Sequence, residues 1–395
     1  MTDEYAENSL PQQETIKNLQ PYILKEFRNY ILKNKNAIKQ RKLLQIADLG
    51  CADGKNDAKL ILNQLIQVAR EELSKNFPIN IFMNDLPSTS ASTIIKNVSQ
   101  EIHDQNVYFY AVPKSFYEKL FPERQIDVFL CLTTIHWLDK KHPVPIYEYV
   151  DDYSIKSYYH VDEAHKSYID SKVYQHQEQT LQRFLILREK EIAIGGMIFI
   201  GNLQVRCEQA NLQQSLYVFS QLRKILRQIL DDFYVPTSVV NKMNLNIAQR
   251  QKDDFQHALE NEQDLKESLK PILIEEVVFD DPIHHEFKLN KIDADQYGKT
   301  AANQLKAPTY NAYKGILVEN GVEEKQAIKI LNKYYEQVAD FITQNYEKMP
   351  EQISAVICIL ERKNINQQQE QYYEEKQIKQ SSYAKHQQVL DDLMD

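Results

Sequence analysis

Four short stretches of this chain carry residue types suited to charged ligands. Residues 43–56 read LLQIADLGCADGKN: an apolar run ends in Asp48-Leu49-Gly50, a turn spans Gly50-Cys51-Ala52-Asp53-Gly54, and a helix is predicted from about Asn56. Glycine serves where the backbone needs positive φ or a ligand approaches the main chain closely. The chain has only 8 glycines, so two in one turn single it out. A strand, a glycine turn and a helix N-terminus form an anion site, because free N–H groups point out of the helix. Further on, Asn84-Asp85-Leu86-Pro87 follows INIFM, Lys114-Ser115-Phe116 follows the run ending in Val112-Pro113, and Thr133-Thr134-Ile135-His136-Trp137 follows IDVFLCL. Ligands of parallel α/β sheets bind outside the carboxyl ends of the strands. Gly50, Asp85, Ser115 and His136 are therefore predicted to line one crevice.

The ligand class follows from the glycine spacing. Gly50-x-x-x-Gly54 is not the G-x-G-x-x-G of dinucleotide folds, and no Gly-Lys-Ser/Thr of a P-loop follows. S-adenosylmethionine (SAM) is the remaining common candidate. Its carboxylate suits the helix N-terminus and its amino group suits Asp48. An acidic residue ending the second strand accepts bonds from two ribose hydroxyls, a role Asp85 fits. The bland readings are a structural turn in another α/β protein and a loop-capping Asp before Pro87.

The elements that hold these residues are read from periodicity. A polar arm and a helix with Ile16, Leu19, Tyr22, Ile23 and Phe27 at three-and-four spacing open the chain. After the first turn, Ala58, Ile61, Leu62, Leu65 and Ala69 form an apolar stripe predicted to pack on a sheet. Strands are predicted at 43–49, 79–83, 107–112, 126–132, 197–203, 274–279 and 354–360. A helix over about 175–192 is expected to stop at Gly195-Gly196. Residues 140–180, rich in Tyr, His and Asp, read as a loop with short helices. Helices are predicted within 208–265, broken at Tyr234-Val235-Pro236, and over 298–318 and 322–347. The fold class expected is α/β: a Rossmann-like, SAM-binding sheet with helices on both faces and a mostly helical cap.

Composition narrows the class. The chain of 395 residues has net charge −9 and is 43% hydrophobic. It shows no basic patch of the kind a nucleic-acid partner needs. No apolar run approaches a membrane span, and MTDEYAENSL lacks a signal pattern. Cys51, Cys131, Cys207 and Cys358 are scattered without a C-x-x-C pair, which fits a reducing, cytoplasmic setting and no metal site.

The motifs together resemble the SABATH family of SAM-dependent carboxyl methyltransferases, which act on small acids such as salicylate, benzoate and jasmonate and, in some members, on xanthine nitrogens. The pieces stand in family order: Tyr5-Ala6-Glu7-Asn8-Ser9 with Gln12, Ala47-Asp48-Leu49-Gly50-Cys51 with Gly54 and Asn56, Asn84-Asp85-Leu86-Pro87, Val112-Pro113 with Ser115-Phe116-Tyr117 and Leu120-Phe121-Pro122, His136-Trp137-Leu138, and Gly195-Gly196. The likeness is clear over about 4–203 and fainter over 297–362. It implies that Tyr5, Ser9, Asp48, Gly50, Cys51, Gly54, Asn56, Asp85, Leu86, Ser115 and Phe116 surround SAM, and that Gln12, His136 and Trp137 hold the acceptor group. Thr133 stands where plant members commonly carry Tyr, which implies a wider pocket beside it. The organisation expected is an arm and helix closing over the active site (1–40), a SAM-binding core (41–203), a helical cap insertion and strand (204–296), C-terminal helices and last strand (297–362), and a polar tail (363–395). A homodimer is also implied by the relatives.

A carboxylic acid of pKa about 4–5 is already ionised at neutral pH, so no general base is expected. Gln12 amide, His136 imidazole and Trp137 indole N–H are read as neutral donors to the carboxylate. Three rivals stand beside this reading: an N-methyltransferase acting on a xanthine-like heteroaromatic, an inactive SAM-binding protein, and a dehydrogenase, against which the glycine spacing argues.

Overall fold

The computed structural model describes residues 9–139, 163–204, 212–240, 242–243 and 250–364. Seven strands form one sheet: β1 (Leu44–Leu49), β2 (Ile79–Asp85), β3 (Val107–Pro113), β4 (Ile126–Leu132), β5 (Ile192–Gln204), β6 (Leu269–Asp280) and β7 (Gln352–Arg362), in the order β3-β2-β1-β4-β5-β7-β6. The first five run parallel; β7 pairs antiparallel with β5 and with β6. The order reverses direction between β1 and β4, and such a switch point opens a crevice at the strand C-termini. Gly50, Asp85 and Thr133 stand at or just past the ends of β1, β2 and β4.

The central strands read as unbroken apolar runs because both faces are covered. Residues alternate between two cores with the strand period of two. Ile46, Val128, Leu130, Ile357 and Ile359 join the face covered by helix α1 (Leu10–Arg41) and by the helix that follows β1. Ala47, Leu49, Phe129, Cys131, Val356 and Cys358 join the opposite face. The expected stripe of Ala58, Ile61, Leu62, Leu65 and Ala69 is buried to the last residue. That helix, α2, runs as Lys55–Asp57, a π-turn over Ala58–Leu62, and Asn63–Glu72. A third core joins the helices Leu212–Asp232, Ala294–Glu319 and Glu324–Gln344, away from the sheet.

Helix α1 is tied to the sheet by a buried acid that the sequence pattern did not mark. Asp127 on β4 accepts from the Tyr30 hydroxyl (2.7 Å) and the Gln45 backbone N–H (2.9 Å), and it pairs with Arg41. This fastening holds the second half of α1 against the start of β4, while Ser9, at the other end of α1, bonds to Asn56 beside the β1 turn.

Two boundaries differ from the sequence reading. The helix before β5, α3 (Glu163–Glu191), starts near 163 rather than 175 and ends four residues before Gly195. Gly195 (φ +73°) and Gly196 lie inside β5, where the pairing with β4 shifts between Ile126 and Val128. The glycines serve a bulge, not a helix stop. Strand β6 begins at Leu269, with Pro271 taken up in a register shift against β7. The 140–160 part of the expected loop, and the tail beyond residue 364, lie outside the described residues. Among the described residues no helix is long and apolar enough to cross a membrane.

Candidate active site

The turn after β1 needs both of its glycines. Gly50 has φ +81°, and a Cβ there would meet Thr134 Cγ2 at 2.6 Å; Gly54 has φ +77°, and a Cβ would meet Val98 Cγ1 at 2.8 Å. Thr134 comes this close because its hydroxyl donates to the Leu49 carbonyl (2.9 Å), joining the ends of β1 and β4. Several N–H groups of the turn are spent within the protein. Gly50 and Cys51 donate to the Asn84 carbonyl (2.8 and 3.0 Å), Ala52 to Asp85 Oδ2 (2.8 Å), Gly54 to the Cys51 carbonyl (2.8 Å) and Lys55 to Asp53 Oδ1 (3.1 Å). The turn is stitched to the end of β2 and presents acids instead.

Those acids are mutually unfavourable. Asp48 is 1% exposed and its Oδ2 has no hydrogen-bond partner. Burial raises its pKa well above the ordinary carboxylate value, and Asp57 and Asp85 raise it further. Asp57, in the first turn of α2, is pushed up to about 7 by burial and then by Asp53. Burial also raises Asp85, against the opposing effect of bonds from Thr89, Ala52 and Leu86. A pocket of buried acids with an unpartnered oxygen has the electrostatics of a cation site, since an opposite charge nearby favours the ionised forms. Asp85 already accepts three bonds, from Thr89 Oγ1, Ala52 N and Leu86 N. That leaves about one of a carboxylate's four lone-pair sites.

Ser9 and Asn56 come together directly. The Asn56 amide donates to the Ser9 hydroxyl at 2.7 Å, and Ser9 is fully buried. One turn along α1, Gln12 Oε1 is buried without a partner. Leu86 is 40% exposed. Ser115 Oγ accepts from the Tyr117 backbone N–H at 3.2 Å. The Phe116 ring sits edge-on to Phe184 (5.7 Å between centroids) and tilted against Tyr117 (4.8 Å). Tyr5 lies outside the described residues.

The end of β4 forms a second, differently charged region. Thr133 has φ +56° and donates its N–H to the Gly201 carbonyl at 2.7 Å. A β-branched residue in the left-handed region is a true outlier. His136 Nδ1 is 3.1 Å from Asn202 Oδ1, and the Asn202 amide N–H₂ donates to the Leu203 carbonyl (2.9 Å), which orients the amide. Nδ1 therefore carries the proton. Burial lowers the His136 pKa to about 4, with the Asn202 bond opposing and the nearby Arg250 charge adding to the shift. A neutral imidazole in this tautomer offers Nε2 as an acceptor. The expected donor role of His136 toward a carboxylate does not fit this tautomer. Trp137 lies beside it (ring centroids 5.5 Å), and its carbonyl accepts from the Tyr117 hydroxyl at 2.8 Å.

Several residues of the site escaped sequence reasoning. Arg188 and Glu191 close α3 with a fully buried ion pair at 2.9 Å. Arg188 donates to the carbonyls of Phe116 (3.0 Å) and Glu118 (2.9 Å), while Glu191 accepts from Leu120 and Phe121 N–H. Together they fix the loop bearing Ser115 and Phe116. Their i, i+3 spacing at a helix end was a readable signal. Asn202 was visible as a lone amide in the apolar run Met197 to Leu203. Asp57 was hidden among other first-turn polar residues, and nothing in the surrounding sequence marked Arg250.

A family model described as "SAM dependent carboxyl methyltransferase" matches residues 2–363. Gibberellic acid methyltransferase 1 of Arabidopsis thaliana is 26% identical over 166 residues, 40% of this chain and 43% of that protein. Salicylate carboxymethyltransferase of Clarkia breweri is 28% identical over 247 residues, 61% of this chain and 66% of that protein. These alignments thus span less than two thirds of the relatives' own lengths. The solved structure of a loganic acid methyltransferase with SAH superposes with TM-score 0.70 at 18% identity, covering 92% of this chain and 97% of that one. At that identity the likeness speaks for the fold.

Proposed function

This chain belongs to the family of SAM-dependent carboxyl methyltransferases, and we propose that it transfers the methyl group of SAM to the carboxylate of a small organic acid, giving a methyl ester. The observation that carries the proposal is the buried Asp48 carboxylate at the end of β1, whose Oδ2 has no hydrogen-bond partner. Left alone, such a group is heavily penalised; a cationic ligand resolves it. The residues present fit SAM in this respect.

When bound, SAM supplies an electrophilic methyl group on a sulfonium. Asp48 would hold the ammonium end and Asp85 a ribose hydroxyl. Phe116 and Leu86 would lie against the adenine, and Ser9, Gly50, Cys51, Gly54, Asn56 and Ser115 would form the walls, with Tyr5 on the arm. Gln12 and Trp137 orient the acceptor carboxylate by neutral hydrogen bonds, which hold it without quenching its nucleophilicity. Thr133 shapes the pocket beside them. His136, with Nε2 as acceptor, contacts a donor group on the acid rather than its carboxylate. No residue needs to remove a proton, because the acceptor is ionised. The contribution of these groups is alignment, where orientation is worth roughly 7–11 kcal/mol, and exclusion of water from the nucleophile.

The same reading makes the 1–40 arm a closure over the site and the 204–296 region a cap that selects the acid. It also makes this a cytoplasmic enzyme with no nucleic-acid partner, which the acidic balance and the scattered cysteines support, and one that acts as a homodimer. The test is transfer from methyl-labelled SAM to a panel of benzoate, salicylate, jasmonate and gibberellate, with xanthine included. Label in an acid supports the proposal. Label in xanthine alone moves the acceptor to nitrogen, and SAM binding without transfer to any acceptor favours an inactive SAM-binding protein.

A further inference from the structure

Arg250 lies just before the helix Lys252–Asn261 and is fully buried. Its Nη1 donates to the Gln177 carbonyl at 2.7 Å, while Nε and Nη2 have no hydrogen-bond partner. Among the described residues no carboxylate reaches ion-pair distance of it. Asp254 is the one acid whose charge acts on Arg250, and it is engaged elsewhere, accepting from the Gln251 backbone N–H at 2.7 Å. The Arg250 charge is felt at Tyr117, Cys131 and His136. The Tyr117 hydroxyl is the group that holds the Trp137 carbonyl. A buried guanidinium with no carboxylate at ion-pair distance among the described residues thus lies within electrostatic reach of Tyr117 and His136.

The arrangement sorts charge along the crevice. Asp48, Asp57 and Asp85 gather at the ends of β1 and β2, where a cationic ligand belongs. At the end of β4, His136 is neutral, and the charge acting on it is that of Arg250, which has no ion-pair partner among the described residues. A buried charge without a partner is costly to the fold, so its retention calls for an anion that arrives from outside.

We propose that Arg250 is the counter-charge of the acceptor: it makes the β4 end of the site select an anionic acid over a neutral acceptor, and it steadies Trp137 through Tyr117. The proposal rests on the carboxyl methyl transfer argued above and adds the residue that sets acceptor charge. Arg250 acts as a positioning residue through the field it imposes and through the Tyr117 hydroxyl. Tyr117 links it to Trp137, so the charge and the tether can be separated by mutation.

The experiment compares the wild type with Arg250→Met, Arg250→Lys and Tyr117→Phe. Binding of benzoate and salicylate, and of their neutral amides, is measured by calorimetry on the protein saturated with SAH. In Arg250→Met the acids are expected to weaken by about tenfold or more and the amides by no more than about twofold. Arg250→Lys keeps most of the acid preference, and Tyr117→Phe weakens acid and amide alike. Because Met removes an unpaired buried charge at similar volume, thermal stability should hold or rise. The His136 pKa, followed by NMR, should rise in Arg250→Met, which reads the field without any acceptor. Acid and amide losing affinity equally in Arg250→Met, a loss of stability with unchanged acid preference, or an unmoved His136 would each overturn the proposal. Failure of the wild type to methylate any acid would strike the functional reading instead, while the binding and His136 measurements still decide the role of Arg250.

Discussion

The Ser9 hydroxyl accepts a 2.7 Å hydrogen bond from the Asn56 side-chain amide, joining the start of α1 to the start of α2. The two residues are 47 positions apart, and Ser9 is fully buried. The bond closes the edge of the acidic turn with the N-terminal helix, so α1 and the turn are organised as one wall. A buried neutral bond of this kind contributes about 0.5–1.5 kcal/mol. Ser9→Ala and Asn56→Ala should each weaken SAM binding by about threefold to tenfold. In a double-mutant cycle the two losses should fail to add. Calorimetry with SAM on the four proteins checks this.

Gly50 admits no side chain. With φ +81° and Thr134 Cγ2 2.6 Å from an added Cβ, Gly50→Ala must push apart the ends of β1 and β4. SAM binding should be lost, and stability should fall by about 1–3 kcal/mol. Thr134→Ala should relieve part of the clash, so the double variant should bind SAM better than Gly50→Ala alone. SAM titration and thermal denaturation give both readouts.

Asp57 should make SAM binding depend on pH. Its pKa is raised from 3.8 to about 7 by burial and then by Asp53. The folded state therefore binds this proton more tightly than the unfolded chain does, and this group's contribution to stability falls as pH rises between about 4 and 7. A cationic ligand favours the ionised form, so SAM affinity should rise as pH increases from 6 to 8, with proton release at the lower end. Calorimetry in two buffers of different ionisation enthalpy measures that proton. In Asp57→Asn the pH dependence should flatten.

The strain at Thr133 should be removable. A β-branched residue at φ +56° costs about 1–3 kcal/mol relative to a relaxed conformation. Asn tolerates this region much better. Thr133→Asn should therefore stabilise the protein by about 1 kcal/mol in thermal denaturation, while altering which acids are accepted, since this residue stands at the pocket end of β4.

The sheet was legible because each strand is a short apolar run with its own boundary. All seven are found, and the stripe from Ala58 to Ala69 is buried as its spacing demands. Gly195-Gly196 misled because a bulge and a helix stop both use positive φ, and only pairing partners tell them apart. Ser9, Asn56, Asp48 and Asp85 stood out as side chains at strand and helix ends, and the structure joins Ser9 to Asn56 and Asp85 to the β1 turn. What could not be read was where hydrogen bonds are spent. The turn N–H groups go to Asn84 and Asp85, and the His136 proton goes to Asn202. Both depend on residues far apart in sequence, as does the buried charge of Arg250, which no local pattern announces.

Neutral His136 gives a further expectation. With a pKa lowered to about 4, it keeps one protonation state from pH 6 to 8. In Trp137→Phe the KM for the acid should rise by about tenfold or more, while the KM for SAM stays within about twofold. A common rise in both would show Trp137 to be a packing residue. Steady-state kinetics with each ligand varied in turn separates the cases.

The central claim is that the acceptor atom is a carboxylate oxygen, and the most direct measurement is the chemical nature of the product formed from methyl-labelled SAM. The account predicts a base-labile product that hydroxylamine converts to a hydroxamate, with the label released as methanol. A label that survives base and hydroxylamine, bound to nitrogen, would contradict it.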